Sequence, residues 1–138
     1  MENLKYQNIT EAVIRSFYKV YNTLGYGFLE KVYENSLFYE LAKKGFLVEK
    51  QKRIRVFYDE TPVGNYFADL IVEDKVIIEV KAAESLVPEH GYQLINYLKA
   101  TEMEVGLLVN FGKNPQFVRK VFSNKGNADA TDYADYRG

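Results

Sequence analysis

The chain has 138 residues, of which 47% are hydrophobic and 27% charged, and its formal net charge at pH 7 is -1. This length and composition predict one compact domain with a substantial core, not a disordered segment. The absence of cysteine excludes disulfide bonds, thiolate metal sites and a cysteine nucleophile, and the single histidine excludes histidine-rich metal sites within one chain. We recognise no secretory signal and no membrane-spanning segment in the sequence, so we expect a cytoplasmic protein.

Two helices are predicted in the first third of the chain. Thr10 is a suitable N-cap for the first helix, and Gly25 is expected to end it. The second helix follows Gly27 and ends at Gly45. The residues expected on the inner side of this second helix are Leu29, Val32, Tyr33, Ser36, Leu37 and Leu41.

From Phe46 onward the apolar residues recur with a period of two, which predicts strands. The expected elements are an extended segment over Leu47–Glu49 and Arg53–Tyr58, a hairpin of Asn65–Val72 with Val76–Lys81, a helix beginning at Pro88, a buried strand over Val105–Asn110, an edge strand over Phe117–Phe122, and a flexible polar tail over residues 123–138. The order α-α-β-β-β-α-β-β, with one helical crossover, predicts a three-layer α/β/α sandwich with a mixed central sheet in a single domain of residues 1–122.

Three charged residues, Asp69, Glu79 and Lys81, lie in strands that are otherwise apolar. Glu79 and Lys81 point to the same face of the sheet because they are two residues apart. A three-residue hairpin loop places Asp69 opposite Glu79, whereas a two-residue loop places it on the other face. Two carboxylates beside an amine are typical of a site for a hard divalent cation. The structural alternative is a buried Glu79–Lys81 ion pair or strand ends in solvent.

The Asp69…Glu79-Val80-Lys81 arrangement resembles the PD-(D/E)XK nuclease superfamily, although Ala68 stands where proline is common. Gly27-Phe28-Leu29-Glu30-Lys31-Val32-Tyr33 also matches the GxxExxY signature of one bacterial branch. This resemblance covers about residues 10–122 and implies a restriction-endonuclease-like fold. It further implies that Asp69, Glu79, the Val80 carbonyl and Glu30 hold Mg²⁺ or Mn²⁺, and that Lys81 is the catalytic lysine.

Gln93 and Tyr97 are one helical turn apart and resemble the Gln-x-x-x-Tyr motif of the exonuclease-like branch, which places both at the active site. The apolar residues around Gln93 predict that its amide is buried and needs hydrogen-bond partners. Tyr97 is equally compatible with packing alone. His90 is expected to be a surface or capping residue.

Basic residues are concentrated in one short segment that contains a single acid, Glu49. They are Lys43, Lys44, Lys50, Lys52, Arg53 and Arg55. One interpretation is that these residues form a solvated helix end and an edge strand whose lysines protect against aggregation. The other is that Lys52, Arg53 and Arg55 bind substrate phosphates.

The sequence therefore predicts a metal-dependent nuclease that hydrolyses phosphodiester bonds in DNA or RNA, with Lys81 assisting a water activated by the cation. The alternative is a non-catalytic nucleic-acid-binding or adaptor protein on the same fold, and either form is compatible with a homodimer or larger assembly. The two are distinguished by whether Asp69, Glu79 and Lys81 share one concave face or Glu79 pairs with Lys81.

Overall fold

The computed structural model describes residues 4–123 and the backbone of residues 131–136. Its elements are α1 (Gln7–Leu24), α2 (Glu30–Lys43), β1 (Val48–Tyr58), β2 (Thr61–Val72), β3 (Val76–Lys81), α3 (Pro88–Lys99), β4 (Val105–Phe111), β5 (Pro115–Phe122) and β6 (Thr131–Tyr136). The first eight elements follow the predicted order. In this described part of the chain, no helix is both long and apolar enough to cross a membrane.

The six strands form one sheet in the order β1-β2-β3-β4-β5-β6. Among the strands that the structure describes, only β3 and β4 run parallel, and α3 connects them. One face of the sheet packs on α1 and α2 through residues such as Ile78 and Val80, and the other packs on α3 through residues such as Ile77 and Leu108. The predicted three-layer α/β/α sandwich with a mixed sheet is confirmed.

The start of α1 differs from the prediction, whereas its end agrees. The helix begins at Gln7, and Thr10 is buried in its first turn, where the hydroxyl donates to the Gln7 carbonyl at 3.2 Å. Thr10 is therefore not the N-cap. Gly25 ends the helix and donates its N–H to the Tyr21 carbonyl, with a φ of 72° that glycine adopts without steric cost.

The inner face of α2 is rotated from the predicted one. Leu29 is 80% exposed, because α2 begins at Glu30 and Leu29 is an extended residue before it. Val32 is also exposed. Glu34 is buried with only 4% exposure, although the sequence analysis did not assign it to this face. The fully buried residues of α2 are Tyr33, Leu37 and Leu41.

The two predicted segments around residue 51 form one irregular strand, β1, in which Gln51 has a φ of 52°. Asp59 and Glu60 have φ values of 52° and 63° and make the turn into β2. A two-residue turn with two positive φ values suits the right-handed twist of a hairpin. For this reason β2 begins at Thr61, four residues before the predicted start.

The β2–β3 hairpin has the longer of the two loops considered. Val72 pairs with Val76 across residues 73–75, and the pairing continues to Leu70 opposite Ile78. This register places Asp69 beside Glu79, as the three-residue loop predicts.

The C-terminal segment corrects the predicted flexible tail. Thr131–Tyr136 forms β6, antiparallel to β5, so the strand predicted at the edge has a neighbour on both sides. The open backbone N–H and C=O groups of β5 provide the template for this pairing. The remainder of the predicted tail, residues 124–130 and 137–138, lies outside the described residues.

Tyr33 connects the core to the loop before α2. Its ring is fully buried and stacks on Phe111 with centroids 4.3 Å apart. Its hydroxyl donates to the Gly25 carbonyl at 2.6 Å and accepts the Phe28 N–H at 3.2 Å. Tyr33 therefore holds the loop that leads into Glu30.

Tyr33→Phe retains the ring and removes both hydrogen bonds. We expect the free energy of unfolding to fall by about 1–2 kcal/mol, since two part-buried hydrogen bonds to the loop are lost. Urea unfolding measures this change, and faster amide exchange at Phe28 should accompany it. Tyr39→Phe, at a side chain that is 62% exposed, is the matched control and should have no effect. Equal stability of the two variants would contradict this role of the Tyr33 hydroxyl.

Candidate active site

Asp69 lies where β2 separates from β3. Counted from the hairpin loop, the last pair of the ladder between these strands is Leu70 with Ile78, and Asp69 is the next residue of β2. The Val80 N–H donates to Asp69 Oδ2 at 2.8 Å, and the Asp69 N–H approaches Glu79 Oε2 at 3.4 Å. Here side-chain carboxylates replace backbone carbonyls as hydrogen-bond acceptors. They lie at the opening of a gap between β2 and β3.

Glu79 and Lys81 face the α3 side of the sheet. Ile78 and Val80 pack in the core under α1 and α2, and Ile77 packs under α3, so the alternation of β3 places Glu79 and Lys81 on the side of Ile77. Among the ion pairs of the described residues, none joins Glu79 to Lys81. The two charged groups are therefore neighbours without closing on each other.

A hydrogen-bonded chain ties Asp69 to α2. The Gln51 Nε2 group donates to both carboxylate oxygens of Glu34, at 3.1 and 3.2 Å, and to Asp69 Oδ1 at 3.2 Å. Lys31 binds the same Glu34 carboxylate at 3.3 Å. Glu34 is thereby a buried carboxylate with partners, and Gln51 bridges it to Asp69.

The backbone at Gln51 and Asp69 makes this bridge possible. These two residues face each other in the β1–β2 ladder but are missing from its pairs, which resume at Lys52 and Ala68. Ala68 packs under α3 and Leu70 under α1 and α2, although they are two residues apart. The alternation of β2 therefore breaks at Asp69, opposite the left-handed backbone of Gln51.

Glu30 approaches the site from the first turn of α2. It is exposed, and its Oε2 accepts the Ala82 N–H at 3.3 Å, directly after Lys81. Because Glu30 and Glu34 are four residues apart, they lie one turn apart on the same side of the helix. Two acidic side chains of α2 thus border the gap that Asp69 occupies.

Tyr66 and Tyr97 line the α3 side of the site. Their rings stack at 14° with centroids 3.4 Å apart. The Tyr66 hydroxyl is buried and has no hydrogen-bond partner of standard geometry among the described residues. Burial is the main cause of its raised pKa, and the interaction with Glu79 raises that pKa further. Burial and the charges of Glu79 and Asp69 also raise the pKa of Tyr97.

Gln93 is exposed, contrary to the predicted buried amide. The core positions of this part of α3 are filled by Leu94 and Ile95 instead. Since Gln93 precedes Tyr97 by one turn, it lies on the solvent side of the same helical edge. His90 acts as a cap, because its Nδ1 accepts the Val87 N–H at 3.3 Å.

The basic segment does not form one continuous strip. Lys43 pairs with Glu40 and Lys44 donates to Ser16, at the end of α2. The remaining four lie on β1, where Lys50 donates to Asn35, Lys52 pairs with Glu49 and Asp74, and Arg53 and Arg55 are exposed. Of the six basic residues, only these two arginines could bind a ligand without first losing a side-chain hydrogen bond or ion pair in the described structure.

The site accumulates negative charge in a partly buried place. Burial raises the pKa of Asp69, and the charges of Glu34 and Glu30 raise it further, against hydrogen bonds from Val80 and Gln51. Burial, followed by the charge of Asp69, raises the pKa of Glu79 to about 8, and Lys81 acts in the opposite direction. Such perturbed carboxylates are a feature of functional sites.

The donor set is compatible with a hard divalent cation. The described residues contain no group of three acidic or histidine side chains already clustered as metal ligands. Asp69 and Glu79 provide two carboxylates, and magnesium sites commonly use one or two carboxylates with water and substrate oxygens.

Three residues of this arrangement were missed in the sequence analysis. Glu34 had a usable signal, since its spacing from Leu37 and Leu41 places it on the buried side of α2. Gln51 and Tyr66 had none, because their positions depend on the break in strand alternation and on the packing of β2 against α3.

Comparisons with known proteins identify the family and support the fold. The family model of the PD-(D/E)XK nuclease superfamily matches residues 7–121. A solved structure, "Crystal structure of SSO0001", aligns with 82% of this chain at 21% identity and a TM-score of 0.52, which shows a similar fold. The alignment spans 57% of that chain, so the present chain corresponds to little more than half of its length. A comparison with curated proteins gives no significant match.

Substitution of Gln51 separates backbone strain from hydrogen bonding. Gln51→Ala and Gln51→Gly both remove the bridge to Asp69, but only glycine relieves the positive φ. We expect the glycine variant to be more stable by about 1 kcal/mol. The same pair of substitutions at Arg55, in ordinary strand geometry, should show the opposite order. An alanine variant as stable as the glycine variant at residue 51 would contradict a left-handed backbone there.

The pKa of Glu79 predicts how stability depends on pH without divalent metal. Between about pH 4.5 and 8 the native state binds more protons than the unfolded chain, because the Glu79 pKa rises from 4.5 to about 8 on folding. The free energy of unfolding should therefore fall as pH rises through about 8, by roughly 1–4 kcal/mol. Glu79→Gln should flatten this dependence. Urea unfolding at pH 5.5, 7 and 8.5 in EDTA tests it, and an unchanged slope in the variant would contradict the assignment.

Proposed function

The chain belongs to the PD-(D/E)XK nuclease superfamily, and we propose that it is a metal-dependent nuclease that hydrolyses phosphodiester bonds in DNA or RNA. The observation that carries the proposal is the pairing of two partly buried carboxylates, Asp69 and Glu79, at the gap between β2 and β3. Lys81 lies beside them without an ion pair to Glu79 in the described structure. A purely structural role would favour a closed pair, since buried charges are stable when paired.

Asp69 and Glu79 would hold Mg²⁺ or Mn²⁺, with the Val80 carbonyl as a further ligand and Glu30 in the surrounding acidic shell. A bound divalent cation lowers the pKa of a water and neutralises charge on the phosphate. The raised pKa values of both carboxylates support this role, because a cation removes the repulsion that causes part of the increase.

The protein residues orient the reactants and balance charge. Lys81 supplies a positive charge to the phosphate oxygens as negative charge develops on them. Gln51 fixes the Asp69 carboxylate, and Glu34 fixes Gln51. Tyr66 and Tyr97 line the site on the α3 side and limit the access of bulk water.

The finer assignments belong to the same proposal. The match of residues 27–33 to the GxxExxY signature supports assignment to that branch, and Gly27, with a φ of 113°, and Tyr33 would shape the loop before Glu30. Gln93 borders the substrate entrance, and Lys52, Arg53 and Arg55 lie on the strand that would contact substrate. A cytoplasmic location, a single domain over residues 1–122 and assembly into a homodimer or larger complex stay predictions.

Cleavage of fluorescently labelled single- and double-stranded DNA and RNA with Mg²⁺ or Mn²⁺ tests this function. We expect Glu79→Gln and Lys81→Met to lower the rate by at least about 100-fold, because each removes a group that acts on the reacting phosphate. Glu102→Gln, at an exposed acid far along the chain, is the matched control and should retain wild-type activity.

Wild-type cleavage abolished by EDTA and by Glu79→Gln would support the proposal and identify the substrate. Cleavage that survives Glu79→Gln would contradict the assigned site. Absence of cleavage on every substrate would favour a non-catalytic nucleic-acid-binding or adaptor protein on this fold.

A further inference from the structure

The outer half of the β1–β2 hairpin carries an unusual combination of exposed side chains. Arg53 is opposite Phe67 and Arg55 is opposite Asn65 in the antiparallel register. Cross-strand partners share a face, and Arg53 and Arg55 share it because they are two residues apart. We call these four residues the hairpin platform.

The opposite face of the same strands is covered, whereas the platform is open. Ile54 and Ala68 are buried in the core under α3, and Tyr66, the partner of Ile54, packs against that core. Phe67 on the other face is 52% exposed. Within the described residues, no carboxylate lies within 4.0 Å of Arg53 or Arg55. The platform therefore presents an aromatic ring and two unpaired cations to solvent.

The platform leads directly to the candidate active site. Phe67 precedes Asp69 by two residues along β2, which corresponds to about 7 Å of strand. Arg53 follows Gln51, the residue that binds Asp69, by the same interval on β1. A ligand lying along the platform would thus extend toward Asp69 from the α2 side of the sheet, and it would meet Glu79 and Lys81, which face the α3 side, only through the gap beside Asp69.

From this placement we infer that the hairpin platform binds single-stranded nucleic acid, with an unstacked base on Phe67 and neighbouring phosphates on Arg53 and Arg55. An aromatic ring can stack only on a base whose face is free, and the bases of a duplex already cover one another. Two cations on a chain of net charge -1 also provide few of the phosphate contacts on which duplex affinity depends. The inference rests on the proposed nuclease function and narrows its substrate to strands or unpaired segments.

Binding by the Glu79→Gln protein tests the platform apart from catalysis, because the probe is not consumed. The probes are fluorescein-labelled 15-nucleotide single strands of DNA and RNA and the duplexes of the same sequence, and the readout is fluorescence anisotropy in 50 mM salt with EDTA. We expect at least one single strand to bind more tightly than its duplex. Phe67→Ala should weaken that binding by about tenfold or more, as the loss of a stacked base implies.

Phe67→Leu keeps an apolar side chain but removes the stacking ring, so it should weaken binding even if the alanine variant folds poorly. Arg53→Ala with Arg55→Ala should weaken binding and reduce its dependence on salt. The matched controls are Tyr39→Ala, which removes an exposed aromatic ring on α2, and Lys113→Ala, which removes an exposed cation in the loop between β4 and β5, and neither should change affinity.

Tighter binding of duplex, equal losses in Phe67 and Tyr39 variants, or no binding of any probe would each overturn the platform. These results are independent of whether the wild type cleaves. Cleavage without platform-dependent binding would refute this inference alone, and platform-dependent binding without cleavage would refute the nuclease function alone.

Discussion

The candidate site depends on one hydrogen bond, from the Val80 N–H to the Asp69 carboxylate at 2.8 Å. In an uninterrupted antiparallel ladder, a backbone carbonyl of β2 would accept from β3 at this point. With the side chain of Asp69 as acceptor, β2 can diverge from β3 without leaving a central N–H unpaired. The divergence opens a gap in the middle of the sheet, and it places Glu79 and Lys81 at the edge of that gap.

The unfavourable features of the molecule are concentrated around this gap. Asp69 and Glu79 repel each other in a partly buried place, Gln51 adopts a left-handed backbone, and the Tyr66 hydroxyl is buried without a standard hydrogen bond. Each feature costs free energy that the adjacent core has to offset. The fully buried strand β4, the apolar residues of β3 and the stacked rings of Tyr33 and Phe111 supply that stability. Local strain and charge repulsion of this kind are typical of positions selected for function.

Local sequence predicted the features that depend on residue type and spacing. Short runs of apolar residues located β3 and β4, and one of the two hairpin loops that the sequence left open, the three-residue loop, gives the register that brings Asp69 to Glu79. The local sequence could not predict features that depend on tertiary contacts. The left-handed backbone of Gln51 is stabilised by its bonds to Glu34 and Asp69, which no local pattern encodes. The exposure of Gln93 depends on how α3 is rotated on the sheet, so the sequence wrongly predicted a buried amide. The pairing of Thr131–Tyr136 depends on the open edge of β5, so the sequence predicted a flexible tail instead of this strand.

The central claim is that Asp69 and Glu79 hold a divalent cation for which Lys81 is not a ligand. Titration of Mn²⁺ into the protein at pH 8, followed by electron paramagnetic resonance of the free ion, tests it most directly. Wild type and Lys81→Met should bind Mn²⁺ with comparable affinity, whereas Asp69→Asn should bind at least about tenfold more weakly, since one of two carboxylate ligands is lost. Undiminished Mn²⁺ binding by Asp69→Asn, or no binding by the wild type, would contradict the account.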